Sequence, residues 1–424
     1  MLQNRGVSKI YTGGRGKDFC RGCQGRDLFS ALDLGELPIA NELLASDEIR
    51  IDLFPLHLRV CRDCGLGQVA DVVTPERIFK DYRYLSSIST TFLEHAATYV
   101  QGVVNEDMFA PGDWVLEIAS NDGYLLKNFL KLGIKTLGVE PADNVAAISS
   151  ALGIETISEF FSTALAIEIL QKHGHPKLIV ANNVLAHVPD LADFLKGLAV
   201  LCGKETKISI ENPSLANILV DMQFDTIYHE HYSYLSAFSV QRLGAMHGLY
   251  LNRVEELAVH GGSTRFWLSI SNWNDLTDPS VDEMIKYELN VGLFDSSQWD
   301  SYSLRVNEIL ENFLSWLRRT KESNRRVYGY GAAAKASTIL NSIEVGTDLI
   351  SAIADASLEK QGRFMPSHGI KIISPKTLFS AEPTDVVIFP WNIKREIASY
   401  LRMNLGSQTR LWCAIPQMHE IEIL

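Results

Sequence analysis

The sequence predicts an α/β chain in three parts: a small domain on cysteine knuckles, then two doubly wound, Rossmann-like units. Three observations predict it. Residues 113–140, DWVLEIASNDGYLLKNFLKLGIKTLGVE, read strand, tight loop, helix, strand. Residues 325–355 repeat that order around Gly329-Tyr-Gly331-Ala-Ala-Ala-Lys335. Ahead of both stand two C-x-x-C pairs, Cys20/Cys23 and Cys61/Cys64. The expected division is 1–80, 81–271 and 272–424.

In the first unit, Trp114–Ile118 is an apolar run of strand length, and 119–123 is a small polar turn. Residues 124–132 carry apolar side chains at helical spacing, and Gly133 stops them. Residues 136–139 form the next strand, with Glu140 at its carboxyl end. A tight strand-to-helix turn exposes backbone N–H groups, and an acid about 20 residues on suits two ribose hydroxyls. Such a unit holds NAD or S-adenosylmethionine, or no ligand at all. The spelling Glu117-Ile-Ala119-Ser-Asn121-Asp-Gly123 favours the second. It resembles the first motif of class I methyltransferases, with Ala119 where that family usually has glycine. The expected cofactor contacts are Glu117, Ala119, Asn121, Gly123, Glu140 and Asn183.

Bulk numbers narrow the class. A chain of 424 residues suggests two or three domains. With 39 basic against 51 acidic residues and no basic cluster, nucleic acid is not the expected partner. No run approaches the ~20 apolar residues of a membrane span, and residues 1–17 lack the apolar core of a signal peptide. The expectation is a cytoplasmic monomer or small homo-oligomer. Its six cysteines should then be thiols or metal ligands. Cys20, Cys23, Cys61 and Cys64 suit a closed, structural zinc site, with a redox pair or core cysteines as the alternatives. Cys202 and Cys413 lie in apolar surroundings and read as core.

Downstream, residues 81–87, Asp-Tyr-Arg-Tyr84-Leu-Ser-Ser, precede a helix from Thr90. They form either a lid over a polar ligand or a surface cap. Helices at 144–152, 160–172 and 191–202 alternate with strands at 178–183 and 206–211. Residues 248–259 and 263–271 read as a closing antiparallel pair, and 272–320 as a polar helical connector. Asn183-Val-Leu-Ala-His187 lies just past a strand tip. Tyr228-His229-Glu230-His231 gathers a phenol, two imidazoles and a carboxylate. Acid–base chemistry, a metal site and a plain buried polar network all remain open for it. His260-Gly261-Gly262-Ser, with Arg265 beyond, is a second polar turn, whose glycines permit close ligand approach. In the second unit Gly329 and Gly331 give a phosphate-type turn, and Lys335 adds charge.

Taken in order, these motifs resemble the sugar C-methyltransferases of branched deoxysugar biosynthesis, of the tetronitrose and mycarose type. The stretch 32–44, LDLGELPIANELL, between the cysteine pairs belongs to the same resemblance. It implies a zinc domain, a class I S-adenosylmethionine domain and a C-terminal Rossmann-like domain. It implies a nucleotide-linked 4-keto-deoxyhexose as substrate, methylated at carbon 3. By motif match, His231 would be the base, with Tyr228, Glu230, His187 and Tyr84 around the sugar. His260, Gly261, Gly262, Arg265, Gly329, Gly331 and Lys335 would hold the nucleotide sugar, Lys335 gripping its diphosphate. A helical turn should bring Tyr228 and His231 together and turn His229 aside. The rival readings are an NAD-dependent nucleotide-sugar oxidoreductase using 329–355, a methyltransferase for a non-sugar small molecule, and a knuckle scaffold without catalysis.

Overall fold

The chain is seen in a computed structural model that describes residues 18–47, 51–69, 73–74, 85–107, 109–271, 278–366 and 369–422. Tyr84 and the side chain of His260 lie outside the described residues.

The first sheet is antiparallel. Its strands run Leu28–Leu37, Phe54–Cys61, Gly67–Gln68, Ser233–Tyr234. Phe54–Cys61 turns Leu56, Leu58 and Val60 inward at period two, as a one-sided sheet requires. The fourth strand comes from far down the chain, out of the expected second domain.

The second sheet has seven strands: Tyr250–Leu257, Ser263–Ser269, Lys207–Pro213, Leu178–Asn182, Trp114–Ile118, Lys135–Val139, Glu155–Ile157. Only Ser263–Ser269 runs antiparallel to its neighbours. The run of apolar residues in Trp114–Ile118 has a simple cause: all five are buried, with helices on both faces of the sheet. Helix Leu191–Leu201 starts at the cap Asp190, and Ala237–Ala245 at a capping box of Ser236 and Ser239. The expected strands and the closing pair are all present. The short edge strand Glu155–Ile157 was not expected, because three half-exposed residues carry no apolar pattern.

The third sheet runs Ile372–Ile373, Ile353–Ala354, Val327–Tyr330, Asp385–Ile388, Arg410–Cys413, His419–Glu420. All its pairings are parallel except the last. Strand order reverses beside Val327–Tyr330, so the crevice of this domain opens at that strand's carboxyl tip.

The polar connector proves to be a core element. Pro279–Asn290 leads into the long helix Ser296–Glu322. Its charged residues face water, while Trp299, Tyr302, Val306, Phe313 and Leu317 form a buried stripe at helical spacing. That stripe packs into one apolar cluster with Leu56 and Leu58 of the first sheet and Val327 and Ile353 of the third. The first and third domains thus share a hydrophobic core.

Candidate active site and metal centre

The zinc ligands converge as expected. The Sγ atoms of Cys20, Cys23, Cys61 and Cys64 lie within 4.8 Å of one another. Cys20–Cys64 and Cys23–Cys61 are 3.5 and 3.6 Å apart. A tetrahedral ZnS₄ site with Zn–S near 2.3 Å needs edges of about 3.8 Å, so the sulfurs are already arranged for the ion. Hydrogen bonds from Cys61 and Cys64 draw the Cys20 thiol down to about 4, and the bonds to Cys20 and Cys61 push Cys64 up. A dication resolves this conflict by letting all four ionise. No open position is left for water, so the metal's role is structural. Metal analysis of chelator-free protein should give about one zinc per chain; a zinc-free, folded protein would contradict the assignment.

The expected cofactor contacts gather at the carboxyl tips of Trp114–Ile118 and Lys135–Val139, where open α/β sheets take ligands. Glu140 is buried and clamps the turn: its Oε2 accepts from Asn121 N at 3.0 Å and its Oε1 from Ala142 N at 2.9 Å. Burial pushes its carboxyl up, against the pull of those two amides. Asn121 and Gly123 adopt left-handed φ of 50° and 78°, and a Cβ at Gly123 would meet Ile154 at 2.6 Å. Ala119 sits at φ 53°, the conformation for which glycine is the usual residue. Glu117 is buried, and burial, then Asp122 and Glu140, pushes its carboxyl well up. Ser86 N and Ser87 N donate to Asn121 Oδ1 and Asp122 Oδ2 at 2.9 and 3.1 Å. The segment before Thr90 is therefore bonded onto the turn, while Ser89 caps the following helix. Asn183, at φ 55°, closes the crevice at the tip of Leu178–Asn182.

Beyond that tip, a short turn carries His187. Its Nδ1 meets the Glu230 carbonyl oxygen at 2.7 Å, and its ring stands 4.8 Å from that of His231. His231 N donates to the Tyr228 carbonyl at 3.0 Å, which closes an isolated turn rather than the expected helical one but still brings the two side chains together. The turn faces Tyr228 Oη and His231 Nε2 at 2.9 Å. His231 Nδ1 lies 3.1 Å from the Thr226 carbonyl, an acceptor only. Nδ1 must therefore carry the proton, and Nε2 is the basic nitrogen, accepting from Tyr228. Burial, then the neighbouring His187, holds His231 well below the usual imidazole range. His229 is turned aside, with Nε2 3.1 Å from the Phe54 carbonyl.

Other expected residues lie elsewhere, or do other work. The Glu230 carboxylate faces away from His231: Oε1 accepts from Asn41 N at 3.0 Å. Arg265 is buried in an ion-pair network, 2.7 Å from Glu211 and 3.1 Å from Glu255, with His95 also on Glu211. That network absorbs the charge proposed for substrate. A Cβ on Gly261 would lie 2.2 Å from the Trp391 ring, and one on Gly262 2.2 Å from Asn217. Both glycines admit close protein neighbours, and Gly261 also lines a cleft with Trp391 and Arg305. A Cβ on Gly331 would likewise meet Pro390 at 2.4 Å, and one on Gly329 would meet Phe389 at 2.7 Å. The amide of Ala332 donates to Asp355 Oδ2 at 2.8 Å, as Asn121 does to Glu140, but here Lys360 Nζ stands 3.6 Å from the carboxylate, so the second turn carries its own counter-ion.

Lys335 leaves that turn altogether. Helix Ala334–Ser342 docks on the segment that leads to Tyr228 and His231, where Thr338 Oγ1 donates to the Ile227 carbonyl at 3.2 Å. Lys335 Nζ sits 4.7 Å from the Trp391 ring centroid, and Trp391 Nε1 donates to buried Asp225 at 2.8 Å. Sequence reasoning missed Thr226, Asp225, Arg21 and Asn41, because their roles depend on contacts between domains.

Glu140→Ala should weaken S-adenosylmethionine binding by about a hundredfold, near 3 kcal/mol, measured by calorimetry. It should also cost about 1–3 kcal/mol of stability, since two inner amides lose their acceptor. Unchanged affinity would contradict the assignment.

Comparison with known proteins agrees with this architecture. Residues 20–79 match a family model described as a zinc binding domain, 92–254 a methyltransferase domain, and 258–416 a C-methyltransferase C-terminal domain. The chain is 31% identical over 402 residues to the C-methyltransferase NovU of Streptomyces niveus, covering 94% of this chain and 96% of that protein. Solved structures match part of the chain. A magnesium protoporphyrin IX methyltransferase from Synechocystis with bound S-adenosylmethionine covers 42% of this chain and 79% of its own, at TM-score 0.32 and 12% identity. An S-adenosylmethionine-dependent methyltransferase from Clostridium acetobutylicum covers 42% and 92%, at 0.34 and 9%. The oxidoreductase alternative falls with the NovU relative and the family models. The chain belongs to the C-methyltransferase family and is an S-adenosylmethionine-dependent enzyme with a zinc-binding first domain.

Proposed function

We propose that the enzyme methylates carbon 3 of a nucleotide-linked 4-keto-deoxyhexose through an enolate. The observation that carries this reading is the Tyr228–His231 pair, with its basic Nε2 fixed by the Thr226 carbonyl. A carbon beside a ketone is acidic enough for a positioned imidazole. His231 Nε2 takes the carbon 3 proton, and its ring remains held through Nδ1. Tyr228 Oη, released from Nε2, donates to the developing enolate oxygen, with His187 as the second polar group beside it. S-adenosylmethionine, when bound, supplies an electrophilic methyl. The crevice residues and the base segment hold the two substrates together, which removes the entropy of encounter. Thiol ligation at Cys20, Cys23, Cys61 and Cys64 suits a reducing compartment, and we assign the enzyme to the cytoplasm.

The nucleotide end suits a cleft of about 460 Å³ between the domains, lined by Arg305, Trp391, Asn392 and Lys394 among others. It opens at the carboxyl tips of the third sheet, where open α/β sheets take ligands. Lys335 lies against the same indole. Arg305 and Lys394 lining the cleft, with Lys335 on the face of its indole, fit a diphosphate and a base in a chain of net charge −12. The diphosphate grip thus rests on Lys335, Arg305 and Lys394, not on the glycine turn.

Incubation with S-adenosylmethionine and a panel of nucleoside-diphosphate 4-keto-deoxyhexoses should give one product heavier by a methyl in place of hydrogen, read by mass spectrometry. Transfer only to non-sugar acceptors would overturn the reading. His231→Asn should lower turnover by about 10²–10⁴ and leave S-adenosylmethionine binding unchanged. Because the base works neutral and its pKa is depressed, wild-type kcat should stay flat as pH falls through 6.5, and decline only below that. A wild-type limb at or above 6.5 would contradict the assignment. Arg305→Glu with Lys394→Glu should raise KM for the nucleotide sugar at least tenfold and spare methyl-donor affinity; an unchanged KM would place the nucleotide elsewhere.

A further inference from the structure

We propose that Arg21, the residue inside the first cysteine pair, positions the catalytic base from the zinc domain. The inference rests on His231 being that base.

Several contacts among the described residues tie the segment 229–234 to the first domain. Tyr232 Oη donates to the Val73 carbonyl at 2.7 Å, and four more contacts bear on the base. His229 Nε2 meets the Phe54 carbonyl at 3.1 Å, and Glu230 Oε1 accepts from Asn41 N at 3.0 Å. Ser233–Tyr234 pairs with Gly67–Gln68. The fourth contact adjoins the base. The Tyr232 carbonyl accepts from Val69 N at 3.1 Å and from Arg21 Nη2. Arg21 Nη1 donates to the Val69 carbonyl at 2.6 Å, and Arg21 N to Gln68 Oε1 at 2.8 Å. Arg21 is 5% exposed, and its guanidinium carbon lies 5.8 Å from the Tyr232 ring centroid. One fork thus grips a carbonyl beside each of two paired strands, just after Gly67–Gln68 and just before Ser233–Tyr234, the second in the residue after His231.

The other end of the tie is the metal centre. Arg21 sits in the turn closed by Cys20 N to Gly25 O at 2.8 Å and Gln24 N to Cys20 O at 2.9 Å. Sulfur ligation on both sides fixes that turn, and the planar fork carries the fixed position to the loop. A lysine could reach one carbonyl and not both. Guanidinium stays charged at all working pH, so the tie does not titrate. Small displacements of a base are costly: a 1 Å shift can lower turnover about a hundredfold.

Arg21→Met and Arg21→Lys test this against wild type and His231→Asn. The readouts are zinc content, S-adenosylmethionine affinity, and kcat and KM with a nucleoside-diphosphate 4-keto-deoxyhexose across pH. Arg21→Met should keep zinc and methyl-donor affinity, hold KM within about threefold and lose about 10- to 100-fold in kcat. The acid limb of kcat should move to higher pH, as a loosened His231 meets water. Arg21→Lys should fall between. Wild-type kcat and limb in both variants would overturn the inference, as would activity lost only in step with zinc. If Arg21→Met does not fold, Arg21→Lys decides by the same criteria. Wild-type turnover in His231→Asn would instead sink the reading of the base.

Discussion

The pairing of Ser233–Tyr234 with Gly67–Gln68 is the constraint on which the site depends. It takes a loop that leaves the methyltransferase sheet and makes it the edge strand of the zinc domain's sheet. Two fixed ends then bound the base segment. One is the tip of Lys207–Pro213 with its following helix Leu215–Val220; the other is the strand beside Cys64. Between them His231 needs only local bonds, to Thr226 and Tyr228, to settle its tautomer. A small domain of this size has little core of its own. Four sulfurs, and a hydrophobic cluster shared with the long helix, give it the stiffness the loop requires.

The two Rossmann-like units share one device. In the first, Glu140 accepts from Asn121 N across the turn and from Ala142 N two residues on. In the second, Asp355 accepts from Ala332 N and from Ser357 N, both at 2.8 Å. The outcome differs through one lysine. Lys360 Nζ reaches the Ala332 carbonyl at 2.9 Å and stands 3.6 Å from Asp355, so the second crevice carries its own counter-ion. Its helix presents Lys335 to the neighbouring domain instead.

Elements with a strong local pattern were legible in the sequence. The buried strand Trp114–Ile118, the closing antiparallel pair and the cysteine quartet follow from periodicity and spacing alone. The turn joining Tyr228 to His231 was legible from their i, i+3 spacing. What the sequence hid was decided between domains. Arg265 and the glycines of 261–262 and 329–331 look ligand-facing in one dimension, yet they meet Glu211, Trp391, Asn217 and Pro390 in three. The helix Ser296–Glu322 read as a connector because its many charges mask a buried stripe. Arg21 gave no signal, since any residue can stand between two zinc-binding cysteines.

The central claim is that His231 Nε2 removes a proton beside the ketone before methyl transfer. Solvent exchange reads that step without the methyl donor. Wild-type enzyme with a nucleoside-diphosphate 4-keto-deoxyhexose in deuterated water should place deuterium at carbon 3, followed by proton NMR. His229→Asn should exchange as wild type, and His231→Asn should leave the carbon 3 proton in place. Full exchange by the His231→Asn enzyme would contradict the account and pass the role of base to another group.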